Sequence, residues 1–405
     1  MKYEYILGGI TAPKGFKASG IHAGIRKNKL KKDLALIVAD DVCSAAAVYT
    51  QNLVKGAPLI VTEKNLKNGY AQAVICNSGN ANTCNANGIE IAEKMCALVE
   101  KHTGISAADV IVASTGVIGQ PLDITPIANG MENLVASLGD DSKSAAEAIM
   151  TTDTVKKEIA VKFTLDGKEC VIAGIAKGSG MIHPNMATML VFMTTDVAIS
   201  PEMLSKIVKA DVKDSFNMIS VDGDTSTNDM LSILASGKAG NTMIETENKD
   251  YKTFKKMFNL VSTTLSKKIA GDGEGASKLL ECQVTGAQSK KIAKTVAKSV
   301  ITSSLFKAAM FGADANWGRV LCAIGYSGAN VDVNKIDVSF QSAKGEIAVC
   351  KDGKGVEFSE EKAKEILLES EIIIKIDLNA GNYKATAWGC DLTYEYVKIN
   401  GDYRT

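Results

Sequence analysis

At 405 residues the chain is longer than a single hydrophobic core usually grows, so more than one folded unit is expected. Apolar residues make up 46% and charged residues 23%, and 46 Lys plus Arg balance 46 Asp plus Glu, which argues against nucleic acid or an anionic membrane as the main partner. No window approaches the ~18 apolar residues of a bilayer span, and MKYEYILGGITAPKG at the start has no apolar run behind positive charge, so a soluble, unexported protein is expected.

Along the chain, LALIVADDV (34–42), APLIVT (57–62), QAVICNS (72–78) and DVIVAST (109–115) read as strands, and NGIEIAEKMCALVEKHTG (87–104) as a helix, which makes the class α/β or α+β. The charge run RKNKLKKD at 26–33 reads as a solvated turn. A helix is expected from about Ile124, another behind Ser200, Pro201 and Glu202, and a third through Phe254, Met257, Phe258, Val261 and Leu265. Behind the breaker GDGEGA the texture turns β-rich, with SKLLECQVTGA, GRVLCAIGYSG, KIDVSFQ, GEIAVC, ESEIIIKIDLNAG and NYKATAWGCDLTYEYVKIN, and one amphipathic helix near 359–369. A domain boundary is therefore placed near residue 275, giving domains 1–275 and 276–405. Nine cysteines without a CxxC pair read as reduced, mostly buried thiols of a cytoplasmic protein, and with only His22, His102 and His183 no metal site is expected.

One segment carries chemistry. In KGSGMIHPNMATML (177–190) the strand ECVIAGIA ends in glycines, and a second strand, TMLVFMTTDV, begins at Thr188. Composition alone fits an ordinary hairpin loop. A threonine hydroxyl, however, needs a base before it can attack a carbonyl, and His183 in a kinked loop is a poor one. Cleavage between Ala187 and Thr188 would supply the base directly, because the new α-amine has an intrinsic pKa of roughly 7.7 to 8.0 and reaches its own hydroxyl. A loop of Gly, Pro and Ala ahead of a strand-initial Thr suits an attack on the preceding carbonyl.

The segment closely resembles the autoprocessing site of the ornithine acetyltransferases, also called glutamate N-acetyltransferases of arginine biosynthesis. Further family-like stretches follow in family order: GGITAPKGFKASGIHAGI, NSGNAN, STGVIG, TTDT, VDGDTSTND, GDGEGA, DANWGRV and YVKINGDYRT. The resemblance implies a layered α/β sandwich with a smaller C-terminal α/β domain, and a cut into pieces 1–187 and 188–405 that assemble as an α2β2 heterotetramer. It implies Thr188 as nucleophile and base, Thr115 and Gly116 as oxyanion hole, and Thr152, Lys177, Thr188, Glu274, Asn400 and Thr405 as substrate contacts. An acetyl group would pass from N2-acetyl-L-ornithine to Thr188 and then to L-glutamate by a ping-pong route without a cofactor. In some members acetyl-CoA is a second donor, which the sequence does not decide. An amide hydrolase or aminopeptidase of the same self-cleaving architecture is the alternative, with water in place of glutamate, and a non-enzymatic binding protein with an intact loop is a third. Trp317 and Arg319 read as a structural stack or an interface, and GDGEGA is not a nucleotide-binding pattern.

Overall fold

The computed structural model describes residues 2–183 and 189–402. The chain divides into two compact units. Among the described residues the first contains 2–178, 189–217 and 225–265, and the second 179–183, 218–224 and 266–402. Against the single sequence boundary at 275, the last division falls between Leu265 and Ser266, and two short stretches around 181 and 221 belong with the C-terminal unit.

The first unit is built on a nine-stranded sheet. In chain order its strands are β1 (Tyr3–Ile6), β2 (Phe16–Ile21), β3 (Leu34–Tyr49), β4 (Tyr70–Asn77), β5 (Val110–Ser114), β6 (Lys157–Leu165), β7 (Lys168–Lys177), β8 (Leu190–Thr195) and, after β9 of the other sheet (Ile219–Ser220), β10 (Met230–Ala235). They lie side by side in the order β1-β6-β7-β8-β10-β3-β4-β5, with β2 paired to β3. Both faces are covered, as the alternation of β4 shows: Ala73 and Ile75 pack into one cluster, Val74 and Cys76 into another. The first cluster also holds Ile91, Met95 and Val99 of α2 (Gly88–Thr103) and Ile127, Met131 and Leu134 of α3 (Thr125–Ala136). The second holds Ala145, Ala146 and Ala148 of α4 (Ser142–Ala148). Helix–sheet–helix layering of this kind is the expected α/β sandwich.

APLIVT, read as a strand, is instead the start of helix α1 (Ala57–Asn65). Pro58 sits in its first turn. The last strand of the sheet is β5, and α1 satisfies its outer edge. The Val112 N–H donates to Thr62 Oγ1 at 2.9 Å, the Thr62 hydroxyl donates to the Val112 carbonyl at 2.8 Å, and Asn65 Nδ2 donates to the Val110 carbonyl at 2.9 Å. The charge run at 26–33 is a turn with exposed lysines, but both its ends are fixed. Buried Asp33 accepts the amides of Ala23 and Arg26, and the Arg26 guanidinium donates to the carbonyls of Ser78 and Met150.

The remaining helices of this unit are α5 (Pro201–Asp211), capped by Ser200, and α6 (Lys249–Gly271), within which the division between units falls. In α6 Phe254 stacks on Phe163 of β6 at 6.3 Å between ring centroids.

The second unit carries a seven-stranded sheet of β9, β11 (Leu279–Ala287), β12 (Asp337–Ser342), β13 (Gly345–Lys351), β14 (Lys354–Gly355), β15 (Glu371–Asp377) and β16 (Tyr383–Cys390), in the order β14-β13-β12-β15-β11-β16-β9. It is more helical than the expected β-rich texture. GRVLCAIGYSG is not a strand; it forms α9 (Trp317–Gly325), which buries Val320, Ala323 and Ile324 at helical spacing behind an Asn316 cap. Ahead of it lie α7 (Lys290–Thr302) and α8 (Ser304–Phe311), capped by Ser289 and Ser303. The expected helix near 359–369 is α10 (Glu360–Leu367), and YEYVKIN, read as strand, is α11 (Tyr394–Gly401). Trp317 lies against Gly355, where a Cβ would come within 2.6 Å of its ring, and Arg319 Nη1 donates to the Leu305 carbonyl at 2.7 Å, so this pair is structural. All nine cysteines are free thiols, and only Cys84 and Cys322 are exposed. Among the described residues no helix is long and apolar enough to cross a membrane.

Candidate active site

In the first unit β5 ends at Ser114 and the chain turns through Thr115 and Gly116, both half-buried. Gly116 has φ +130°, and a Cβ there would meet the Asn80 nitrogen at 2.8 Å, so both conformation and space demand glycine. Two asparagines build the turn. Asn77, the last residue of β4, donates from Nδ2 to Ser114 Oγ at 2.7 Å, its carbonyl accepts the Thr115 amide at 2.9 Å, and its Oδ1 accepts the amides of Gly79 and Asn80. Asn228 donates from Nδ2 to the carbonyls of Ala81 at 2.6 Å and Ser114 at 2.9 Å, while its Oδ1 accepts the hydroxyls of Thr83 at 2.7 Å and Thr227 at 2.6 Å. Asn228 is buried and uses all its hydrogen-bonding positions. Among the described residues the Gly116 amide has no acceptor. A fixed turn with an unspent N–H is the hardware that an oxyanion hole requires.

The same unit holds Lys177 at the end of β7, only 7% exposed. Among the described residues its ammonium has no hydrogen bond and no carboxylate within ion-pair distance, which is unusual for a buried charge. Two buried carboxyls stand near it, Asp153 and Asp229. Asp153 is committed elsewhere: it accepts Lys157 Nζ at 2.7 Å and the Gly178 amide at 2.7 Å. Burial alone would raise the Asp153 carboxyl, but Lys157, Lys177 and the Gly178 N–H reverse that and hold it at about 2. Thr152 lies one residue before Asp153 and is half-buried.

In the second unit the stretch 179–183 is gripped residue by residue. Ser179 Oγ donates to the Asp272 carbonyl at 2.7 Å, and the Asp222 carboxylate accepts the amides of Met181 at 2.6 Å and Ile182 at 2.9 Å. Met181 has φ +55°, a conformation costly for such a side chain. His183 Nδ1 lies 3.1 Å from Ser220 Oγ, and burial, then the neighbouring Lys298, push its imidazole down to about 4, so it is uncharged at neutral pH. Glu274 is 6% exposed and packs directly on Gly180, where a Cβ would fall 2.4 Å from its carboxylate. Asn400 Nδ2 donates to Glu274 Oε2 at 2.7 Å, so the C-terminal helix α11 does return to this carboxylate.

Thus Thr115, Gly116, Thr152 and Lys177 belong to the first unit and Glu274 and Asn400 to the second, where the latter two touch. Ala187, Thr188 and Thr405 lie outside the described residues. Sequence reasoning gave no role to Asn228 or Asp229. Both stand in VDGDTSTND, and the signal was an Asp and an Asn directly ahead of the wholly buried strand MLSILA.

A family model described as the ArgJ family matches residues 17–405. The arginine biosynthesis bifunctional protein ArgJ 1 of Clostridium acetobutylicum is 52% identical over 398 residues, 98% of this chain and 97% of that protein. The arginine biosynthesis bifunctional protein ArgJ of Caldanaerobacter subterraneus subsp. tengcongensis is 49% identical over 404 residues, 99% of this chain and all of that protein. Among solved structures, the arginine biosynthesis bifunctional protein ArgJ of Bacillus halodurans is 45% identical with a TM-score of 0.50, and the match covers 52% of this chain and 97% of that one.

Proposed function

This chain belongs to the ArgJ family and is an acetyltransferase of arginine biosynthesis, and from that premise we propose how its residues carry the reaction. Self-cleavage between Ala187 and Thr188 frees the Thr188 α-amine. Thr188 Oγ attacks the acetyl carbonyl of N2-acetyl-L-ornithine while the amine takes the hydroxyl proton. The developing oxyanion is held by Thr115 and the Gly116 amide. The carbon–nitrogen bond then breaks, ornithine leaves with a proton returned from the α-ammonium, and an acetyl ester of Thr188 remains. The amine of L-glutamate attacks that ester, and N-acetyl-L-glutamate departs. Lys177 meets the α-carboxylate common to both amino acids. Glu274, held by Asn400, meets the side-chain ammonium of ornithine, and Thr152 and Thr405 complete the contacts.

The single observation that carries this assignment is Lys177, a buried ammonium without a counter-ion among the described residues, on the strand that ends eleven residues before Thr188. The solved chain of Bacillus halodurans supports the cut, since it corresponds to 52% of this chain, close to the 218 residues from Thr188 onward. The reaction needs no metal or organic cofactor, acetyl-CoA serves as a second acetyl donor to glutamate, and the assembly is α2β2 in the cytoplasm, where free thiols persist. A hydrolase of the same self-cleaving design is not favoured by the family.

Intact mass and N-terminal sequencing test the premise of the chemistry: two pieces of 187 and 218 residues, the second starting at Thr188 and heavier by one acetyl group after exposure to N2-acetyl-L-ornithine alone. The ester should vanish when L-glutamate is added. An active enzyme that remains one unbroken chain overturns the scheme.

A further inference from the structure

Asp229 is a buried carboxyl that the reaction above does not use. It is 3% exposed, and its Oδ2 has no hydrogen-bond partner among the described residues. It lies directly before β10, whose first residue Met230 pairs with Leu190 of β8, and Leu190 pairs in turn with Lys177 of β7. Lys177 and Asp229 act on each other electrostatically, yet no N–O pair between them falls within 4 Å. Two buried polar groups, a cation without an anion and a carboxyl oxygen without a donor or acceptor among the described residues, thus stand near one another with bonding capacity unspent.

The charge count decides what Asp229 is for. Asp153 and Lys157 neutralise one another at 2.7 Å, which leaves Lys177 as the surplus charge. An ionised Asp229 would cancel it and compete with any incoming carboxylate, while remaining too far away to bond. A protonated Asp229 leaves the surplus intact and adds a hydroxyl that has no acceptor at Oδ2 among the described residues. We propose that Asp229 is a specificity residue of the Lys177 pocket: it carries its proton, reserves the ammonium for an amino-acid α-carboxylate, and donates its O–H to that same carboxylate. This rests on the acyl-transfer reading and adds to it the group that makes the pocket select a carboxylate. Burial favours the protonated form; the groups opposing it are the Lys177 ammonium and the Ser226 hydroxyl.

Steady-state kinetics of the cleaved enzyme test it. Asp229→Ala is expected to raise KM for N2-acetyl-L-ornithine about tenfold or more, with kcat changed less than about threefold, because the interaction is made equally in ground and transition states. Asp229→Asn, an uncharged donor of the same shape, should rescue KM to within about threefold of wild type. An Asn variant as impaired as the Ala variant would mean that a negative charge is required, and an unchanged KM in Asp229→Ala would mean no contact; either overturns the proposal. Infrared difference spectra of the wild type do not depend on the variants folding: a protonated-carboxyl band should shift when L-ornithine binds, and no shift also overturns it. Failure of the acyl-transfer reading is separately visible, as absence of transfer by the wild type.

Discussion

Asn228 connects three stretches of chain through four hydrogen bonds, and none of its partners can turn to water, since the side chain is buried. Replacement by Ala leaves the carbonyls of Ala81 and Ser114 without their donor, which at typical cost for buried unpaired groups is about 3 kcal/mol. Because Ser114 begins the turn that holds Thr115 and Gly116, Asn228→Ala should also lower kcat for acetyl transfer by about tenfold or more while KM moves little. Urea unfolding and steady-state rates check the two halves. Protonation gives a second prediction at this scale. His183 stays neutral in the fold down to about 4, whereas an unfolded imidazole takes its proton near 6.5, so stability falls as pH drops from about 6.5 through 4. Asp153 acts lower: its folded value of about 2 stabilises the protein above the ordinary carboxylate range, and roughly 2 kcal/mol is lost as pH falls from about 4 to 2. Urea midpoints measured from pH 7 to 3 should decline in both windows. In His183→Gln the decline between 6.5 and 4 should be absent while the lower one persists.

Helix α4 lies on β2 at a distance only glycine permits. A Cβ on Gly20 would fall 2.0 Å from the Ser144 carbonyl oxygen and 2.5 Å from its carbon, both backbone atoms that cannot swing aside. Gly20→Ala must therefore push the helix off the sheet, and the alanines of α4 would lose their packing against the core. A loss of about 3 kcal/mol is expected, seen as a lowered Tm. α4 leads directly to Thr152 and Asp153, so KM for N2-acetyl-L-ornithine should rise as well. Such contacts are invisible in the sequence, where Gly20 is one small residue in FKASGI. What was legible was periodicity long enough to count: α2 and α5 show four or more apolar positions at helical spacing and signals at their ends, and both lie where expected. Six apolar-rich residues in APLIVT could not distinguish strand from helix, and the deciding fact, a neighbouring strand edge in need of Thr62 and Asn65, is tertiary. GRVLCAIGYSG failed for a different reason. Its buried spacing, Val320, Ala323 and Ile324, is helical, but the span is too short for that spacing to outweigh the strand-like segments that flank it. At the site, Lys177 and Gly116 are legible only through the family resemblance, since a lone lysine and a strand-end Ser-Thr-Gly turn are ordinary features by themselves. Asn228 and Asp229 carry no such signal: Asn228 matters for partners more than a hundred residues away, and Asp229 for a Lys177 that only the side-by-side order of β7, β8 and β10 brings near.

For the molecule as a whole, cutting before Thr188 would leave the first unit's sheet made by two chains. The N-terminal piece would contribute β1 to β7 and the C-terminal piece β8 and β10. The two strands from the second piece lie inside the sheet, between β7 and β3, so the seam runs along both sides of the inserted pair. On one side β8 runs antiparallel to β7 from Ile172↔Thr195 to Lys177↔Leu190; on the other β10 runs antiparallel to β3 from Met230↔Tyr49 to Ala235↔Ser44. Every residue of β8 and β10 is buried. Leu190, Val191, Phe192, Met193, Met230, Leu231, Ile233 and Leu234 together account for something on the order of 15 kcal/mol of apolar burial, far more than the loss of one peptide bond can offset. The cleaved enzyme should therefore behave as one folded body. Size-exclusion chromatography in native buffer is expected to elute both pieces in a single peak, with separation only in denaturant, and the unfolding transition should report both pieces together. A C-terminal piece that leaves the column by itself under native conditions would show that the shared sheet does not hold after the cut, and a nucleophile on β8's leading segment would then have no fixed oxyanion turn to work against.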